Sequence, residues 1–441
     1  MSRLTLALLL AGCAPAGPRT ATPAMPPGTR TYALVGGQWF DGASFVPRTM
    51  YVVGEAFTAR EPARVDSVVN LDGGYIVPPF GDAHTHNLDG ALNLETVRNA
   101  YLAEGTFYVQ VLTNTRTGAE AVRARRNRPG TLDVVYSHGG LTSTLGHPFM
   151  AYEPRAMGLR NPAVWKDHTE EIRKSRIREN NAYWFIDSLA DLEAKWPAIL
   201  SGKPDVIKVY LLDAEQYEVK RARAGLGENG LRADLVPEIV RRAHAAELRV
   251  WAHVNTAYDF GVAARAGVDG FAHLPAGVEP GRGPQRYLIQ DADARVAARH
   301  GAAVAPTVEV RSRYARSDSA RLQQIRDVMR RNLRLLRAHG VRIVVGSDMF
   351  GRTARSEVEA LQALGVWDNT QLLTLWAETT PRVIFPERRI GRLLPDYEAS
   401  LLVLDCNPIE TFDCTEAIRL RMKQGRLIEL PAVDSSAVSR P

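Results

Sequence analysis

The chain has 441 residues, 45% of them hydrophobic and 24% charged, which leaves room for one large globular domain and a smaller companion. Its net charge is +6, and 48 of its 55 basic residues are Arg, scattered among acidic residues. There is no basic block and no basic patch interleaved with aromatic residues, which excludes the usual footprint of a nucleic-acid-binding protein.

The N-terminal string MSRLTLALLLAGC has a basic start at Arg3, an apolar run from Leu4 to Leu10, and small residues before Cys13. The run is too short to span a bilayer as a permanent helix. Leu10-Ala11-Gly12-Cys13 resembles a bacterial lipobox, which implies a signal peptide over residues 1–12 and lipidation of Cys13. An ordinary secretory signal with an incidental Cys is the alternative. The lipobox reading places the protein outside the cytoplasm, on the periplasmic side of the envelope, with a lipid anchor as its contact with the membrane. Ala14 then favours the outer membrane if the envelope is Gram-negative. Residues 13–30 are rich in Pro, Ala and Thr without apolar periodicity and read as a flexible linker.

Residues 31–79 read as short strands separated by Gly-rich turns, and strand-like patterns return in residues 386–430. The two ends are expected to form one composite β-sandwich, with residues 80–385 inserted between them. Cys406 and Cys414 flank a short loop, and in an exported chain such a pair suits a disulfide; two buried free thiols are the alternative.

The middle alternates apolar runs with amphipathic helical patterns, as repeated βα units do. The runs are YIVPPFGDAH, TFYVQVLT, LDVVYSH, DVIKVYLL, RVWAHV, GFAHLP, AAVAPTVEV and RIVVGSD. Eight of them are the count for an α/β fold closed as a (β/α)8 TIM barrel. One helix between them is marked by Leu322, Ile325, Met329, Leu333 and Leu336 at three- and four-residue steps, with Gly340 at its end. The connection from Thr144 to Pro204 is long enough to build a substrate wall.

Active sites of such barrels lie at the C-terminal strand ends. The first run ends in GDAHTHN, where His84 and His86, two apart on a strand, reach the same side and can share one ion. The fourth run buries Lys208, one of only seven lysines, among β-branched and apolar residues. The fifth and sixth supply His253 and His273, and the eighth ends at Asp348. Each alone is compatible with a hydrogen-bonded core or rim group; arrival in strand order favours a shared site.

This ordered set resembles the binuclear amidohydrolase superfamily, over about residues 31 to 430, and in particular the branch of Xaa-Pro dipeptidase-like, carboxypeptidase-like and ochratoxin-type amidases. AARAGVDGFAHL and RIGRLLPDYEASLLVLDCNP carry further likeness. The resemblance implies two divalent ions, with zinc the first expectation and Mn, Co or Fe also suited. His84, His86 and Asp348 would hold one ion and His253 and His273 the other. Lys208, carboxylated by carbon dioxide, would bridge them. The implied reaction is hydrolysis of a small amide, such as a dipeptide or N-acyl amino acid, with Asp348 taking the proton of the attacking hydroxide. His147 and Tyr210 are candidate substrate contacts, and Arg311, Arg313 and Arg352 are weaker candidates for holding an anion. The chain departs from the branch at Ala272, where Glu is common, and at Val254 and Asn255 after His253. A mononuclear deaminase or cyclic-amide hydrolase of the same superfamily, which needs no Lys208, is the second enzyme reading. A non-catalytic binding lipoprotein is the reading from another class. Pairing into a homo-oligomer is compatible with the resemblance.

Overall fold

The computed structural model describes residues 29–89, 94–277 and 283–430. The signal peptide, Cys13 and most of the linker lie outside the described residues. Among the described residues no helix is long and apolar enough to cross a membrane.

The fold is mixed α/β. Its strands in chain order are β1 (Thr31–Phe40), β2 (Phe45–Val53), β3 (Ala56–Thr58), β4 (Ser67–Asn70), β5 (Tyr75–Val77), β6 (Phe80–Thr85), β7 (Thr106–Val111), β8 (Asp133–Tyr136) and β9 (Gly140–Thr142). They continue as β10 (Tyr183–Phe185), β11 (Val206–Tyr210), β12 (Arg249–His253), β13 (Gly270–Ala272), β14 (Ala303–Ala305), β15 (Arg342–Ile343), β16 (Leu401–Leu404), β17 (Ile418–Lys423) and β18 (Arg426–Leu427).

Both chain ends meet in one eight-stranded sheet, ordered β18-β17-β16-β5-β1-β2-β3 with β4 beside β1. The two ends were expected to form two facing sheets; instead they join edge to edge, where β16 pairs antiparallel with β5. Trp39, Phe57, Ile76 and Leu402 are fully buried there. Cys406 and Cys414 are bonded just after β16, with Cα atoms 5.4 Å apart.

The middle of the chain forms two parallel sheets, β6-β7-β8 and β10-β9-β11-β12-β13-β14-β15. Backbone hydrogen bonds run between the two sheets on both flanks. On one flank Ala83 N–H donates to Val345 O at 2.7 Å, and on the other Asp205 N–H donates to Tyr136 O at 2.8 Å. The strands of β6, β7, β8 and β11 are buried along their whole length, as parallel strands covered on both faces must be.

Three departures from the sequence reading have local causes. The first apolar run is split by Pro78-Pro79, which have no N–H to donate, so β5 joins the terminal sheet while β6 starts the central one. The seventh run is a strand only to Ala305; Pro306 ends it, Thr307 turns at φ 51°, and Val308–Arg313 is a helix. The long connection contributes β10 and a core of its own, in which Phe149, Ile172, Tyr183 and Phe185 are buried together. The buried Glu153 carboxylate ties that segment down, accepting from the Ser175 and Tyr183 hydroxyls and from the backbone N–H of Ile177 and Arg178.

The helices follow their expected signals. Ser319–Ala338 buries Ile325, Met329, Leu333 and Leu336 on one face, and Gly340 follows it at φ 74°. Ala257–Ala266 starts with a capping box between Thr256 and Asp259 and ends at Gly267 in the left-handed conformation.

Candidate metal centre and substrate cavity

The strands of the central sheets end in a run of non-glycine residues with left-handed backbone: Thr113, His138, Asp213, His273, Thr307 and Asp348. Each costs about 1–2 kcal/mol relative to the right-handed form. Such conformations persist where the surroundings hold them, and they cluster at functional sites. Here they turn side chains inward over the strand ends, where a cavity of about 460 Å³ opens.

All six expected ligands line this cavity: His84, His86, Lys208, His253, His273 and Asp348. The ligand atoms of His84, His86 and Asp348 lie within 4.8 Å of one another. Asp348 Oδ1 is 3.2 Å from His84 Nε2 and 3.0 Å from His86 Nε2, and Oδ2 is 3.6 Å from His273 Nδ1. The His253 and His273 rings are 4.3 Å apart, and His84 and His273 are 5.0 Å apart.

Hydrogen bonds select which nitrogen each ring presents. The Thr113 carbonyl lies 3.2 Å from His86 Nδ1, and Thr307 Oγ1 lies 2.7 Å from His273 Nδ1. A neutral His86 that donates to this carbonyl keeps a lone pair at Nε2 and meets Asp348 Oδ1 acceptor to acceptor. A shared proton or a cation resolves that opposition. Ligands 2.0–2.2 Å from one ion stand roughly 3.0–3.4 Å apart, the spacing found here.

Two buried polar atoms in the cavity have no hydrogen-bond partner, Lys208 Nζ and His84 Nδ1. Burial drives the Lys208 amine down to about 7, against the opposing pull of Asp348. Burial likewise holds His84, His253 and His273 well below the ordinary imidazole value, leaving neutral rings suited to ligation. For Asp348 burial acts upward, but His84, His86 and Lys208 outweigh it and hold the carboxyl down to about 2. Four imidazoles, a carboxylate and an unpartnered amine form a donor set that fits divalent cations.

Asp82, which the sequence reading did not single out, lies beneath the site. It accepts from the backbone N–H of His84 and of Ser347, both at 3.1 Å, and from the Ser347 hydroxyl at 2.9 Å. Burial raises its carboxyl to about 7 despite these bonds. Close packing completes the support: a Cβ on Gly346 would stand 2.8 Å from His84 Cβ and 2.9 Å from His84 N.

The structure also brings His147 and Tyr210 to the cavity wall. Their rings are 5.0 Å apart, and His147 is 5.2 Å from His253. The Tyr210 hydroxyl is hydrogen-bonded to Thr113 Oγ1. Burial lowers His147 to about 4. Of the three arginines, Arg311 lines the cavity, whereas Arg313 is exposed and Arg352 lies 3.8 Å from Glu309. Tyr152, Arg155, Tyr314 and Phe350, none of them singled out in the sequence, complete the mouth.

No protein-family model and no curated protein sequence matches this chain. Solved structures do share its fold. Ochratoxinase from A. niger superposes with a TM-score of 0.70 at 16% identity, over 92% of this chain and 96% of that one. A prolidase complexed with N-methylphosphonate-L-proline gives 0.67 at 19% identity, over 91% of this chain and 100% of that one. Phenylurea hydrolase B gives 0.65 at 15% identity, over 90% of this chain and 97% of that one.

Proposed function

We propose that this chain is a metal-dependent hydrolase of small amides, such as a dipeptide or an N-acyl amino acid. The observation that carries the reading is the buried, unpartnered Lys208 amine in one cavity with four imidazoles and Asp348. Proteins of the same fold named prolidase, ochratoxinase and phenylurea hydrolase support it. On this reading residues 80–385 are a (β/α)8 barrel of amidohydrolase type, and residues 31–79 with 386–430 are its companion β-domain.

His84, His86 and Asp348 would hold one divalent ion, His253 and His273 a second, and Lys208, as its carbamate, would bridge them. Bound there, zinc or a similar cation would polarise the scissile carbonyl and ease deprotonation of water. Asp348 takes the proton of the attacking water and returns it to the leaving nitrogen. One C–O bond forms and the C–N bond breaks, with its electron pair leaving on nitrogen. His147 and Tyr210 orient the substrate carbonyl from the cavity wall. The long connection between β9 and β11, held by Glu153, screens that side of the site from bulk water.

We also propose that Cys13 carries a lipid anchor after removal of residues 1–12, so that the enzyme works at the envelope surface. Membrane fractionation of Cys13→Ser tests this: release into the soluble fraction is the expected result, and unchanged membrane association contradicts it. The catalytic reading is tested by assaying metal-loaded protein and Lys208→Ala against dipeptides and N-acyl amino acids. Hydrolysis by the parent and its loss in the variant are expected; a variant as active as the parent, with one ion, would instead favour the mononuclear reading.

A further inference from the structure

Arg311 differs from the other arginines near the strand ends. It stands on the short helix Val308–Arg313, which is fixed to its neighbours at its start. The buried Glu357 carboxylate accepts the N–H of Val308 and of Glu309, each at 2.9 Å, and Thr307 is bonded to His273. Glu309 on the same helix is already engaged by Arg316 and faces Arg352. Arg155, at the other side of the cavity mouth, bonds the Ala151 carbonyl and lies over the Trp165 ring. Arg311 has none of these outlets: no described residue forms an ion pair with it.

Its single hydrogen bond runs from Nη2 to Asn255 Oδ1, at 2.8 Å. Its Nε is shielded from solvent and has no partner. A guanidinium is always charged, and a shielded cation is costly unless an anion meets it. Asp348, the carboxylate of the cavity, is occupied by three imidazoles. Asn255 Oδ1 also lies 3.3 Å from His253 Nε2, so the fork is held one side chain away from a candidate metal ligand. A planar fork with a free N–H matches a carboxylate. That carboxylate would lie within one residue's length, about 3.8 Å, of the bond being cut. Tyr314 and Phe350 on the same rim are 78% and 66% exposed and offer an apolar wall beside the charge.

We propose that Arg311 is the specificity-determining residue of the cavity. It pairs with a carboxylate of the substrate, so that the preferred substrates are amides bearing an acidic group next to the scissile bond and an apolar side chain. The proposal rests on the amide-hydrolysis reading above. Asn255 sets the orientation of the fork.

The test uses matched pairs that differ only in the carboxylate: N-acetyl-L-phenylalanine against N-acetylphenethylamine, and N-acetyl-L-leucine against N-acetyl-3-methylbutylamine. In the parent enzyme kcat/KM is expected to favour the acid of each pair by roughly 100-fold. Arg311→Gln should collapse this ratio to below about 5-fold, chiefly through KM, and Arg311→Lys should retain part of it. The ratio within one variant is independent of how much of the protein is folded. A ratio that is unchanged in Arg311→Gln overturns the proposal. Calorimetric binding of 3-phenylpropanoate, compared with 3-phenylpropanamide, separates the two readings. A parent that cleaves no pair member but binds the acid in an Arg311-dependent way keeps the anion site and removes the amidase reading. A parent that cleaves both members equally, with acid binding unaltered in Arg311→Gln, keeps the amidase reading and removes Arg311.

Discussion

Asp82 and Ser347 are joined twice, backbone N–H to Oδ1 at 3.1 Å and hydroxyl to Oδ2 at 2.9 Å. The pair links β6, which carries His84 and His86, to the segment that carries Asp348. The distance between the two halves of the candidate metal centre is therefore set by a carboxylate that is itself fully buried.

Removing that carboxylate in Asp82→Ala leaves two N–H groups and a hydroxyl buried without acceptors. Each such group costs about 1–3 kcal/mol, so a loss of at least ~3 kcal/mol is expected, together with weaker metal retention. Asp82→Asn keeps one acceptor oxygen and should lose less. Thermal melting and metal analysis of the two variants side by side provide the check.

Gly346 allows the eighth-strand segment to approach His84 more closely than a side chain permits. Gly346→Ala would place a methyl group against His84 backbone, at 2.9 Å from its nitrogen, where a rotamer change gives no relief. A destabilisation of about 1–3 kcal/mol and a displaced His84 are expected. Reduced metal content in a protein that still folds is the signature; parent-like metal content would count against the close packing.

The candidate ligands were legible in the sequence because their types are costly in apolar runs: Lys208 in DVIKVYLL has no reading as an ordinary core residue. Their grouping was also legible, since strand order fixes which ends share one face. The supports were not. Asp82 reads as a residue of a strand end until Ser347, 265 positions away, is seen bonded to it. Arg311 was one arginine among 48, and only the absence of an acidic partner sets it apart. The strand-seven run was misread because Pro306 and the left-handed Thr307 convert an apolar stretch into a helix start, and β10 was hidden inside a connection whose core is built from distant aromatic residues.

Lys423 and Asp133 form a fully buried ion pair at 2.6 Å between the terminal sheet and β8. Asp133 also meets Arg388 at 2.8 Å. Lys423→Ala leaves part of a buried carboxylate uncompensated, and a loss of about 3–5 kcal/mol is expected. Limited proteolysis offers a direct readout: cleavage between the terminal sheet and the central sheets should accelerate in the variant.

The Cys406–Cys414 bond closes a loop with a sequence separation of 8 residues. Chain-entropy reasoning gives about 2.5 kcal/mol for a loop of that size. The double Ser variant should melt at a lower temperature than the oxidised parent and coincide with the reduced parent. Equal melting of the oxidised and reduced parent would show that the bond adds nothing.

Metal analysis of purified protein, paired with hydrolysis of N-acyl amino acids before and after chelation, bears most directly on the central claim. Two divalent ions per chain are expected, with activity lost on chelation and restored by zinc. Hydrolysis that survives complete removal of metal, or a chain that binds no stoichiometric ion at all, would contradict it.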